Sequence, residues 1–152
     1  MNVLSLHQPW AWFVVHGFKT WETRSWSSNA FGPLLIHATK RVTLPGDAGR
    51  MIYYKVRAEF GDVRFAPFHP PPFDELPRGA VVGQVFFRAC MNLDCVRNRM
   101  DDMLGDFSEG RWFWKLESAR PMVEPISARG HQRIWTWEPP QPLTFHPLSL
   151  AL

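Results

Sequence analysis

Three short groups of residues in this 152-residue chain carry the side chains best suited to chemistry. Ser5, His7 and Gln8 form the first. Lys19, Glu22 and Arg24 form the second, inside the run Gly17-Phe18-Lys19-Thr20-Trp21-Glu22-Thr23-Arg24, and His131, Gln132 and Arg133 form the third. Together they offer donors, acceptors and both signs of charge. Lys19 and Arg24 can hold a phosphate, Arg24 through its planar fork, while Glu22 orients one of them or accepts from a base edge. Trp10 and Trp26 flank this run and offer ring faces on which a splayed base can stack. Plainer readings stand beside these. Lys19, Glu22 and Arg24 can be an ion-pair network, His7 a capping or core side chain, and residues 131–133 a turn. Burying such charges beside tryptophan is unfavourable without compensation, so the segment from Ser5 to Trp26 is read as lining a ligand pocket.

The elements that must position these groups follow from periodicity and chain-breaking residues. Residues 1–6 read as a strand that stops at Gln8-Pro9, and residues 10–16 as an apolar helix that Gly17 ends. Residues 19–26 read as a two-faced strand with Glu22 and Arg24 on one side and Lys19 on the other. Phe31-Gly32-Pro33 makes a turn into an apolar strand at 34–38, which leads to a basic tip at Lys40 and Arg41. Residues 47–60 form the one long helix, capped by Asp47, with Met51, Ile52, Val56 and Phe60 inward, Gly61 past its end, and Arg50, Lys55 and Arg57 exposed. The proline-rich stretch 65–77 is expected to cross the surface as a loop.

Residues 80–89 read as a strand in which Gly83 marks a bulge or a close backbone approach. Residues 93–110 are polar and acidic, without an assigned element. The segment 111–117 alternates as a strand with Trp112 and Trp114 on one face, a spacing that recurs at Trp135 and Trp137. The tail 139–152 is expected to be extended. No linker or repeat divides the chain, so residues 1–152 are read as one domain.

Composition narrows the function classes. The 17 Lys and Arg against 14 Asp and Glu leave a net charge of +3, which permits an anionic partner without demanding one. Eight tryptophans against two tyrosines are unusual, and most are assigned to the core. Cys90 and Cys95 stand five apart, without a second cysteine pair or nearby histidines, so neither a metal site nor a disulfide framework is expected, and no cofactor is called for. No apolar run reaches the roughly 18 residues that span a bilayer, and no signal-peptide pattern opens the chain. The expected setting is cytoplasmic and reducing, with no membrane partner.

The order Leu4-Ser5-Leu6-His7-Gln8-Pro9-Trp10-Ala11, then Gly17-x-Lys19-x-x-Glu22-x-Arg24 and Trp26, resembles the signature of the ASCH domain family. The resemblance continues through Gly32-Pro33-Leu34-Leu35-Ile36-His37-Ala38, Gly79-Ala80-Val81-Val82-Gly83, and Pro125-Ile126 leading to Gly130-His131-Gln132-Arg133-Ile134-Trp135. It implies an α+β fold, a PUA-like mixed β-barrel with flanking α-helices, whose cleft takes RNA, single-stranded DNA or a modified nucleotide. One branch of the wider family resembles an amidohydrolase of acetylated cytidine that uses a threonine three positions after the motif lysine; here that position is Glu22. A carboxylate is a poor nucleophile toward amides, so that activity is not expected to carry over. Other members resemble ribonucleases, for which Lys19, His7 or His131 would serve as acid or base and Arg24 would stabilise charge on phosphorus. No spacing here demands such a reaction. A nucleic-acid-binding module is the preferred reading, with a protein partner on the proline-rich loop as a further class.

Overall fold

In a computed structural model, residues 1–41, 47–60 and 70–147 are described. Six strands and three helices occur among them: β1 (Asn2–Leu6), α1 (Trp10–Val15), β2 (Trp21–Arg24), β3 (Gly32–Ala38), α2 (Ala48–Phe60), β4 (Ala80–Met91), α3 (Arg99–Leu104), β5 (Trp112–Ser127) and β6 (Ile134–Thr136). The strands join one sheet in the order β2-β5-β4-β3-β1-β6. Only the β1–β3 pair is parallel. The segment between these strands carries α1 and β2, which gives the length a parallel crossover requires.

The expected PUA-like α+β fold takes the form of a curled half-barrel. β2 and β6 are its two ends, and no backbone ladder joins them among the described residues. Side chains span the seam instead. Arg24 of β2 donates from Nη2 to the Ser5 carbonyl of β1 at 3.3 Å, and the Arg133 guanidinium, just before β6, lies 5.2 Å from the ring centre of Trp26, just after β2. The two ends of the sheet are therefore held together by the residues expected to bind ligand.

Strand alternation distributes the core over both faces of the sheet. Leu4, Leu6, Leu34 and Ile36 turn inward with Val14, Val15 and Trp114, while Val3, Leu35 and Val81 turn the other way against Trp135, Trp137 and the tail residues Leu143 and Phe145. This dual burial explains the consecutive apolar residues Val3-Leu4 in β1 and Leu34-Leu35-Ile36 in β3. Trp112 and Trp114 share the inner cluster as their spacing predicts. At Gly83 both expected features occur together. The β4–β5 register shifts there, and a Cβ would fall 2.6 Å from Val15, so glycine admits α1 to the sheet.

Four expectations are corrected. β2 begins at Trp21 rather than at residue 19. α2 buries Val56 as expected and packs Ile52 against the core, but it turns Tyr53 inward and leaves Met51 65% exposed, because the buried stripe runs through 52, 53 and 56. The polar stretch 93–110 contains α3, whose first turn is capped by Asn98 accepting from the Asp101 amide at 2.8 Å. The proline-rich stretch is not wholly a surface loop. Residues 65–69, like Gly61, lie outside the described residues, but 70–77 bury Phe73 completely and leave Leu76 only 2% exposed. Proline offers carbonyls without amides. Side chains meet those carbonyls: Tyr53 Oη donates to Pro71 at 2.5 Å and Gln8 Nε2 to Pro77 at 2.8 Å. The described tail is likewise tied down, as a bridge between Met122 and Phe145 lays it beside β5.

Candidate functional site

A cavity of about 770 Å³ opens between β2, α2 and the end of α3. Lys19, Glu22, Arg24 and Arg111 supply charge to its lining, with exposed Lys55 and Asp106. Trp10, Met51, Ile52, Met103 and Leu104 supply apolar surface. The lining is thus amphipathic.

Glu22 organises the charge. Its Oε2 accepts from Lys19 Nζ at 2.5 Å, and its Oε1 lies 3.0 Å from Arg24 Nε. This arrangement depends on the late start of β2. A strand running from residue 19 would turn Lys19 to the opposite face, whereas Lys19 here precedes the strand and reaches Glu22 three positions on. Lys19 also donates to the Trp21 carbonyl at 2.6 Å, and only 2% of its surface is exposed. Burial works to raise the Glu22 carboxyl, but the charges of Lys19 and Arg24, the Lys19 hydrogen bond and the charge of Arg111 outweigh it, holding the group below the usual carboxylate range. Glu22 is therefore ionised at neutral pH.

The donors left for a ligand lie elsewhere in the cluster. Arg24 donates from Nη2 to Ser5 while its Nε lies in ion-pair contact with Glu22 without a hydrogen bond, leaving Nη1 without a partner among the described residues, and its side chain is 27% exposed. Arg111 donates from Nη2 to the Thr23 carbonyl at 3.2 Å, with Nε 3.6 Å from Asp106. Trp10 is fixed by donation from Nε1 to the Leu104 carbonyl at 3.0 Å. The end of α3 is held in turn by Asp101, which is 1% exposed and accepts from the Thr20 amide at 2.7 Å, the Thr20 hydroxyl at 2.9 Å and the Trp21 amide at 3.1 Å. One buried carboxylate thus anchors the apolar wall to the start of the charged strand.

The three sequence groups do not converge on one cleft. His7 lines the first cavity, and its Nδ1 lies 2.6 Å from Thr39 Oγ1; burial, then Arg41 and Arg24, hold its imidazole below its ordinary range against the opposing charge of Asp47. Ser5, His131 and Gln132 line a second cavity of about 730 Å³ with His37, Thr39 and Lys40. Gln8 lines neither. Its amide also accepts from the Trp12 amide at 3.0 Å, so it ties the start of α1 to the proline-rich segment. Trp26 packs edge-on to Trp114 at 4.7 Å and carries Arg133 over its ring, so both residues fasten the seam.

Sequence reasoning missed Arg111, Asp101, His37 and the methionines of the apolar wall. Asn98-x-x-Asp101 was a readable helix-start signal within the acidic stretch. His37 stood inside an apolar strand pattern and gave no signal of its own.

The fold and this cavity define a small mixed α+β half-barrel with a charge-lined cleft at its seam. The chain belongs to the ASCH domain family, whose model matches residues 4–111; this PUA-like family is implicated in nucleic-acid binding. The activating signal cointegrator 1 proteins of Homo sapiens and Mus musculus are each 28% identical over 134 residues, 87% of this chain. The chain spans about a fifth of their length, since 21% of each is covered. The crystal structure of ASCH from Zymomonas mobilis aligns with 96% of this chain and 87% of its own, at 18% identity and a TM-score of 0.47. Among the described residues, no helix is long and apolar enough to cross a membrane.

Proposed function

We propose that this domain binds RNA or single-stranded DNA, seating one nucleotide in the cavity beside β2. The observation that carries this reading is the pairing of two kinds of wall in one space: Arg24, Arg111 and Lys55 face the same cavity as Trp10, Met51 and Met103. A nucleotide has the matching division, with an anionic phosphate and a flat apolar base. Arg24 Nη1 is the donor best prepared for the phosphate, because Glu22 and Ser5 hold the rest of its guanidinium in place. Binding is favoured over turnover because Glu22 is held ionised between two cations and the Lys19 ammonium already donates to two acceptors.

The test is fluorescence anisotropy with fluorescein-labelled ten-residue RNA and DNA, using the wild type and Arg24→Met. Losing one charge-assisted hydrogen bond predicts binding weaker by roughly tenfold or more, with the fold retained. Equal binding by wild type and variant, or none by wild type, would remove this reading. RNA shortened on a gel, with the cleavage lost in Lys19→Met, would replace the binder with an enzyme.

A further inference from the structure

The second cavity shares a wall with the first. Arg24, which lines the first, donates to the carbonyl of Ser5, which lines the second, and His7 of the first lies 2.6 Å from Thr39 of the second. The wall is one hydrogen-bonded contact thick at both points, side chain to backbone at the first and side chain to side chain at the second. A ligand longer than one nucleotide leaving the first cavity in this direction meets the second at once.

The charge of the second cavity is of one sign. Lys40 and Arg129 are exposed along its lining beside His131, and among the described residues that lining contains no carboxylate. Neither Lys40 nor Arg129 has an ion-pair partner among the described residues. The site is also built rather than incidental. Gly79 adopts φ +64°, and a Cβ there would fall 2.6 Å from Lys40 Cγ, so the lysine stem is laid along a backbone that only glycine leaves open. Gly130 plays the same part on the other side, since its Cβ would fall 2.5 Å from His37 Cε1.

His37 positions this wall and is not itself a ligand. Trp135 Nε1 donates to Ser5 Oγ at 3.1 Å, and Ser5 Oγ lies 3.2 Å from His37 Nδ1, whose other nitrogen lies 2.9 Å from the Ala128 carbonyl. The carbonyl can only accept, so Nε2 carries the proton, Nδ1 accepts, and the Ser5 hydroxyl donates to it. Every polar atom of this chain is used, which fixes the loop carrying Arg129 and His131.

We propose that the second cavity is a phosphate subsite for the nucleotide next to the one in the first, so that the domain reads a strand and not a free nucleoside. This rests on the nucleotide reading of the first cavity. The test compares AMP, CMP, GMP and UMP with mixed-sequence RNA and DNA tetranucleotides by calorimetry across a salt series, for the wild type and Lys40→Ala/Arg129→Ala. Tetranucleotide affinity is expected to fall about tenfold in the variant while mononucleotide affinity is unchanged. The slope of log affinity against log salt should shrink by about 1.4, roughly 0.7 for each lost contact. Unchanged tetranucleotide binding, or an equal loss for mononucleotides, would overturn the subsite and leave the first cavity standing. If the wild type binds neither ligand, the nucleotide reading fails and the subsite fails with it.

Discussion

The two cavities differ in how their charge is held. In the first, Lys19 and Glu22 are nearly inaccessible and locked at 2.5 Å, with Arg24 completing the cluster. In the second, Lys40 and Arg129 are exposed without an acidic partner among the described residues. Buried pairs are screened little by salt and fix geometry, whereas exposed charges attract over distance and fade as salt rises. The first cavity is therefore shaped for recognition, and the second is set to draw in a polyanion.

The largest expected effect breaks the first arrangement. Glu22→Gln leaves two cations facing one another with no carboxylate, one of them only 2% exposed, and should destabilise the domain by about 3–5 kcal/mol. Urea unfolding measures this. Adding Lys19→Met should recover much of the loss, because the orphaned ammonium is then gone. A loss under about 1 kcal/mol for the single variant would show that the cluster is hydrated and would erase the contrast between the cavities.

Acid tests the buried titratable groups next. Glu22 stays ionised well into acid, because its folded range lies below the usual one. The histidines shift in the same direction but titrate nearer neutrality. Burial lowers His37 and His7, and it lowers His16, stacked on Trp12 at 4.1 Å, to about 4. A depressed histidine favours the neutral form in the folded state, so its stabilisation is complete above about pH 6.5 and is lost as pH falls toward the folded value. For His16 alone this amounts to about 3 kcal/mol at most by pH 4. Urea midpoints at pH 7.5, 6 and 4.5 should fall steadily, and His16→Phe should flatten part of the slope. A profile level from pH 7 to 4.5 would contradict the burial of these rings.

The same contrast marks how far the sequence could be read. β1, α1, β3 and β4 were legible because local signals agreed with tertiary burial: short apolar runs bounded by turn residues, Gly17 at the helix end and Gly83 at the bulge. The ion-pair network of Lys19, Glu22 and Arg24 stood as the plainer reading and is present, but the register that permits it was hidden, since it depends on where β2 begins, and Asp101 sets that by binding the Thr20 and Trp21 amides from 80 residues away. The split into two cavities was hidden for a similar reason. Residues 131–133 return to β1, but His131 and Gln132 line the second cavity with Ser5 while Arg133 turns to Trp26 at the seam. Chemistry-bearing residue types were visible along the chain; the thickness of the wall between them was not.

The smallest expected change sharpens the boundary itself. Lys55 lines the first cavity from α2, is exposed, and has no ion pair among the described residues, whereas Arg50 on the same helix is committed to Asp74. Lys55→Ala should leave stability within about 0.5 kcal/mol of wild type, as expected for an exposed side chain. Its salt slope should fall by about 0.7, the same per-residue change as in the second cavity. What distinguishes it is the ligand. Because Lys55 shares a cavity with Arg24 and Trp10, mononucleotides and tetranucleotides should weaken by the same factor. Calorimetry with AMP and an RNA tetranucleotide decides the point. A loss confined to the tetranucleotide would move Lys55 to the strand's path outside the first cavity, and the dividing wall would then not separate one nucleotide from the next.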